Sequence, residues 1–177
     1  MALLSKTSIY IDSKQVSNFK HLYLNQQIAA HHVLQVVFRM DTFESNSSEL
    51  GEKSKEFLGK NMTIQIGSIS TQSNLGVLEF QGIISEIKIS KADSSGSGDE
   101  IIILAKSPTL KADNGAHYNS YTEKDLSYII EDVLKPHHLT YDIAPRYKEK
   151  IDYCVQQNES GYAYVSRLAT QYGEWFY

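Results

Sequence analysis

The chain has 177 residues, 41% of them hydrophobic and 21% charged, with a net charge of -4 and a single cysteine. That composition can fill one full domain or two small ones. It argues against nucleic-acid binding, which shows as a basic stripe, and the lone Cys154 rules out an internal disulfide framework. No apolar run approaches the roughly 20 residues of a membrane helix, and the first residues lack the cationic and apolar regions of a secretory signal. Twelve tyrosines suit half-buried strands and interfaces.

The first hundred residues read as strands. "TSIYID" and "FKHLYLNQQI" are the first two. In "VLQVVFRM", Leu34, Val36, Phe38 and Met40 alternate with Gln35, Val37 and Arg39, a period of two that marks one buried side. "ESNSSELGEKSKEFLGK" interrupts with a short helix from Ser48 to Leu58, anchored by Leu50 and Phe57 and stopped at Gly59. "NMTIQIG" sets Met62, Ile64 and Ile66 against Thr63 and Gln65. In "VLEFQGIISEIKIS" the parity switches after Gly82, which predicts a β-bulge at that glycine. "DSSGSGDE" is a loop, and "EIIILAKS" reads as a strand buried on both faces. Six strands with one helix predict an antiparallel β-barrel, whose closure removes exposed edges.

From about residue 113 the pattern changes, so the expected domains are 1–112 and 113–177. "YTEKDLSYIIEDVLKPH" predicts a helix capped by Thr122, with Asp125 three residues on and Pro136 at its end. "LTYDIA" and "IDYCVQQ" read as strands around a polar turn. A second helix, capped by Asn158 or Ser160, carries the stripe Tyr162, Val165, Leu168, Ala169 and Tyr172 up to a left-handed stop at Gly173. "EWFY" then begins a strand. The whole is expected to be α+β and β-rich, its second part ordered helix, strand, strand, helix, strand.

Candidate chemistry is sparse. The pairs His31-His32 and His137-His138 place adjacent imidazoles on opposite sides if they lie on strands, and no HExxH motif or second cysteine accompanies them. His137-His138 suits the negative pole of a helix end. Asp99-Glu100 and Glu131-Asp132 read as solvated surface, Glu159 as a complement to a helix N-terminus, and Cys154 as core. There is no GxSxG, GxGxxG or GxxxxGK[ST]. No catalytic, cofactor-binding or metal residue is assigned, and no cofactor is expected.

"YCVQQNESGYAYVSRLATQYGEWFY", residues 153–177, resembles the VgrG spike proteins of type VI secretion systems and the related baseplate hub and late-control D proteins of phages. The elements that carry the likeness are Gln156-Gln157, Glu159-Ser160, Ser166-Arg167-Leu168, Gly173 and Trp175-Phe176-Tyr177. Gly161-Tyr162 stands where the family often has an acidic residue and an aromatic one. The order of strands and then a short helix before the motif also fits the family.

The resemblance implies a non-enzymatic hub in a trimeric spike, docking on a hexameric tube of Hcp-like protein and meeting secreted effectors. It implies assembly in the bacterial cytoplasm and export by the contractile apparatus. It also implies that this chain is a piece of a longer protein, with Trp175 to Tyr177 opening the next strand. The alternatives are a cell-wall-acting hydrolase module of a tail or spike, and a phage baseplate hub rather than a secretion spike. Lytic activity would distinguish the first, and neighbouring genes the second.

Overall fold

The computed structural model of the chain describes residues 5–39, 42, 55–68, 77–90 and 99–177. Contacts divide it into two units, Met1–Asn25 with Val33–Ser107 and Gln26–His32 with Pro108–Tyr177. The class is β-rich α+β, as the sequence predicts.

Unit 1 is one antiparallel sheet of seven strands: β1 (Ser5–Ile11), β2 (Lys14–Val16), β3 (Phe19–Asn25), β4 (Val33–Arg39), β5 (Asn61–Ser68), β6 (Leu78–Ser90) and β7 (Glu100–Lys106). Their order across the sheet is β2-β1-β5-β6-β7-β4-β3. Asp12 and Ser13, at φ 49° and 68°, form the two-residue turn from β1 to β2. The two outermost strands, β2 and β3, are consecutive in the chain, separated only by Ser17 and Asn18. Laid flat, seven strands would hold their outer edges about 29 Å apart. The step from Val16 to Phe19 spans at most about 11 Å. The sheet must therefore roll, bringing its two edges together as a barrel.

Alternation fills the barrel. Leu34, Val36, Phe38, Met62 and Ile64 are buried, with Ile9, Ile84, Ile101 and Ile103 beside them. Met40, expected on the same face, lies outside the described residues. The expected helix at 48–58 also lies largely outside them, as does most of the loop at 93–100. The end of the helical segment is described: Lys60 N–H donates to the Phe57 carbonyl at 3.1 Å, Gly59 has φ 78°, and Phe57 packs on the barrel core.

Two strand readings are corrected. The parity of β6 does not change at Gly82, because Phe80, Gly82 and Ile84 all face inward. The bulge falls between Ile84 and Glu86, where Ser85 is the extra residue and donates to the Leu104 carbonyl at 3.4 Å. Gly82 is required for space instead. A Cβ there would lie 2.8 Å from the Lys106 carbonyl oxygen and 2.8 Å from the Phe80 ring. β7 is not buried on both faces either: Ile101, Ile103 and Ala105 are buried, whereas Ile102 and Leu104 are only half covered. A barrel strand has one interior face, however apolar its sequence.

Unit 2 runs in the order strand, helix, strand, helix. β8 (His117–Asp125) pairs antiparallel with β9 (Lys150–Glu159), and α1 (Leu126–Leu134) and α2 (Gly161–Gln171) follow them in turn. β8 corrects the expected helix start. Thr122 lies within the strand, and Asp125 is the cap, accepting from Tyr128 N–H at 2.8 Å. "LTYDIA" forms no strand. Glu174 to Tyr177 joins no ladder among the described residues, although Ala29 N–H donates to the Phe176 carbonyl at 2.7 Å. The core holds Leu126, Ile129, Val133, Tyr164, Val165 and Leu168. Tyr162 and Tyr172 of the expected stripe are partly buried against it, and Tyr164 is buried more completely than either.

Candidate functional site

The motif residues converge where β9 turns into α2. Ser160 caps α2, accepting from Ala163 N–H at 3.1 Å, and its hydroxyl donates to the Asp113 carboxylate. Asn158 is not the cap; it lies within β9 at a left-handed φ of 54°, where the pairing with β8 shifts register. Gly161 follows because nothing larger fits well. A Cβ there would stand 3.1 Å from His137 Nε2, 3.2 Å from the Ala112 carbonyl and 3.2 Å from Val133. The departure from the family pattern at Gly161 thus leaves the cap intact. At the other end Gly173 takes φ 70°, and Glu174 N–H donates to the Ala169 carbonyl at 2.8 Å, closing the helix as expected.

Glu159 has a different role from the one its sequence position suggests. It accepts two hydrogen bonds from Arg167, Nε to Oε2 at 3.1 Å and Nη2 to Oε1 at 2.5 Å. Arg167 Nη2 also donates to the Val155 carbonyl at 2.8 Å. The hydrogen bond from Arg167 holds the Glu159 carboxyl below its ordinary range, and Glu159 in turn raises the guanidinium. This bracket ties the first two turns of α2 to the end of β9. Beneath it, the Gln156 amide is buried and satisfied, accepting from Asn119 Nδ2 at 2.8 Å and donating to the Glu159 carbonyl at 3.0 Å.

On the core side, the Tyr164 hydroxyl lies 3.2 Å from Cys154 Sγ, and Tyr121 donates to Asp132 Oδ2 at 2.9 Å. Burial raises both phenols, aided by Cys154 at Tyr164 and by Asp132 at Tyr121. Cys154 is half-buried beneath this helix. Asp132 is therefore engaged rather than simply solvated. Glu100 in unit 1 likewise pairs with Lys20 at 2.5 Å.

An open groove of about 720 Å³ runs beside α2, lined among others by His31, Asp113, Tyr162 and Arg167. His31 stacks on Tyr162 with ring centroids 3.8 Å apart, and its Nδ1 lies 2.9 Å from Thr109 Oγ1. Its Nε2 lies 3.5 Å from Asp113 Oδ2. Ser, His and Asp are thus gathered, but with the carboxylate in the middle. A nucleophilic relay has the imidazole next to the serine, whereas here the hydroxyl proton goes to Asp113. The sequence singles out His31 only beside His32 and gives no signal for Asp113, because the partners of both lie 47 or more residues away. His137 and His117 meet edge-on at 6.2 Å, and no cluster of three or more His, Cys, Asp or Glu side chains suited to a metal occurs among the described residues. No helix is long and apolar enough to cross a membrane among those residues.

No curated protein sequence matches the chain significantly. Solved structures do. The 43 kDa tail protein of prophage MuSo2 from Shewanella oneidensis superposes with a TM-score of 0.69 at 14% identity, covering 96% of this chain and 49% of that one. A component of the type VI secretion system of Escherichia coli gives 0.63 at 13% identity, over 92% and 42% of the two chains. A PdpA-VgrG complex gives 0.52 at 12% identity, over 90% and 30%. The chain therefore spans half or less of the length of these neighbours, and at such identities the likeness establishes the fold. The profile of the phage tail baseplate hub (GPD) family matches residues 34–177, which includes β4 to β7 and all of β8 to α2. By that match the chain belongs to the phage tail baseplate hub family.

Proposed function

We propose that the chain is the hub portion of a trimeric, VgrG-like spike in a contractile injection apparatus, and that unit 1 docks on a hexameric tube of Hcp-like protein. The observation that carries this reading is the rolled seven-stranded barrel within a chain of the baseplate hub family. A rolled sheet whose two edge strands are brought together by the Ser17-Asn18 connection suits stacking on a tube, because it presents loops and rims rather than an extended strand edge. The role involves no turnover. The polar groups around α2 hold strand to helix, and the Glu159 carboxylate is engaged by Arg167. Assembly takes place in the bacterial cytoplasm, and export proceeds through the apparatus, with effectors as further partners. We take the apparatus to be a secretion system. Tail, capsid or secretion genes flanking the coding sequence test that assignment against a phage.

The test mixes the purified chain, and the longest chain its gene encodes, with the tube protein of the same genome. We expect a complex of three hub chains per hexameric ring by sedimentation and electron microscopy. Failure of both chains to bind the ring overturns the docking. Lysis of purified cell wall that is lost in Glu159→Gln overturns the non-enzymatic role.

A further inference from the structure

The ribbon of β8 and β9 has two unlike faces. Residues opposite one another in an antiparallel pair share a face, so Tyr121 with Cys154 and Asn119 with Gln156 form the side toward the helices. The other side carries Tyr118, Ser120 and Thr122 opposite Gln157, Val155 and Tyr153. None of these six residues bears a charge. Tyr118 and Tyr153 are 69% and 64% exposed, although Tyr118 is steadied by its hydroxyl donating to Asn158 Oδ1 at 3.0 Å.

The ribbon's edges also differ. On β9, the Val155 carbonyl is taken by Arg167. β8 has β9 as its sole ladder partner among the described residues, and no other backbone or side-chain group there bonds its main chain between His117 and Thr122. Beyond Thr122 the edge is closed by Glu123, at φ 51°, followed by Lys124 and Asp125. An open length of about 20 Å remains.

We propose that the free edge of β8, from His117 to Thr122, is a strand-addition site for an uncharged extended segment of another polypeptide. A row of alternating N–H and C=O groups is matched by another extended backbone. The adjoining side chains set its chemistry: β-branched or aromatic residues at alternate positions pack beside Tyr118 and Thr122, and a charge there would face an uncharged strip. The length sets its form. A third strand on about 20 Å of edge buries far less than the roughly 800 Å² per partner of a stable globular interface. A linear segment fits, and a folded partner does not. The added strand would also convert a two-stranded ribbon, marginal by itself, into a three-stranded sheet.

The probe is a synthetic peptide, blocked at both ends, with the sequence of this chain's Tyr153–Asn158 carrying Cys154→Ser, an uncharged strand whose alternation already suits β8. It is added at about 1 mM to the isotope-labelled 177-residue chain, and amide exchange is followed by NMR. We expect saturable slowing of alternate amides between His117 and Thr122 by about tenfold, abolished when alternate amides of the peptide are N-methylated along the pairing edge. Ser120→Lys, at an exposed position, should weaken the effect at least about fivefold with an unchanged melting temperature. Absence of slowing overturns the proposal, as does slowing that survives N-methylation on either edge. Protection of β8 that instead rises with chain concentration, with dimers in sedimentation, assigns the edge to a second copy and also overturns it.

Discussion

Arg167 and Glu159 are joined by two hydrogen bonds, and the same guanidinium reaches the Val155 carbonyl two residues from the end of the uncharged strip on β9. One side chain thus fastens a helix to the strand that precedes it. Arg167→Met should lower unfolding stability by about 1 kcal/mol at neutral pH, the exposure of the pair being allowed for. Because Glu159 is held below its ordinary 4.5, this contribution is present above that value and fades as pH falls through the lowered one. Urea unfolding of wild type and variant at neutral and acid pH checks both points. A difference that is constant with pH contradicts the pairing.

Helix α1 offers a direct contrast between two residues three apart. Asp125→Ala should cost about 1 kcal/mol, the usual loss for a missing N-cap. Thr122→Ala, within β8 and exposed, should change stability by less than about 0.5 kcal/mol. Denaturant midpoints decide between them, and the reverse ranking would restore the cap to Thr122.

The cap at Asp125 shows what the sequence conceals. "HYNSYTEKD" has no apolar alternation, and Tyr121 is its one buried residue. The Thr-x-x-Asp spacing therefore looked like a helix start, while long-range pairing with β9 extended the strand to Asp125. β4 and β5 were legible because their hydrophobic positions alternate and one face is buried. "LTYDIA" alternates too, but it pairs with no strand among the described residues. The family pattern named Glu159, Ser160 and Arg167 correctly without showing that the first and last bind each other. His31 and Asp113 come together only through the fold.

Gly82 and Gly161 should resist enlargement for steric reasons. Gly82→Ala should destabilise by about 1–3 kcal/mol, since its Cβ meets a backbone carbonyl and a core ring. Gly161→Ala ought to gain up to about 1 kcal/mol from helix propensity. We expect a net loss instead, because the Ala112 carbonyl crowds the new methyl. Thermal melts of the two variants test this, and a rise for Gly161→Ala would show that the neighbours yield.

His137 should make unit 2 acid-sensitive. Burial, reinforced by His117 and His138, lowers its proton affinity below the ordinary 6.5. Between that value and the lower folded one, the unfolded chain binds the extra proton, so stability rises with pH across this window. It is complete above the ordinary value and declines on acidification. His137→Gln should flatten the slope in unfolding midpoints followed from neutral pH downward. An equal slope in the variant assigns the effect elsewhere.

The seam of the barrel sits at Ser17 and Asn18, between strands at opposite ends of the ladder order. A single backbone cut there would sever no ladder pairing among the described residues. The seven-stranded sheet could then open like a cuff while every pair remained bonded. Covalent continuity over two residues, the second of them in a left-handed conformation at φ 65°, therefore does the work that another row of hydrogen bonds would do in a fully laddered cylinder. New termini placed at this junction would leave every ladder in the sheet intact and remove only the clasp.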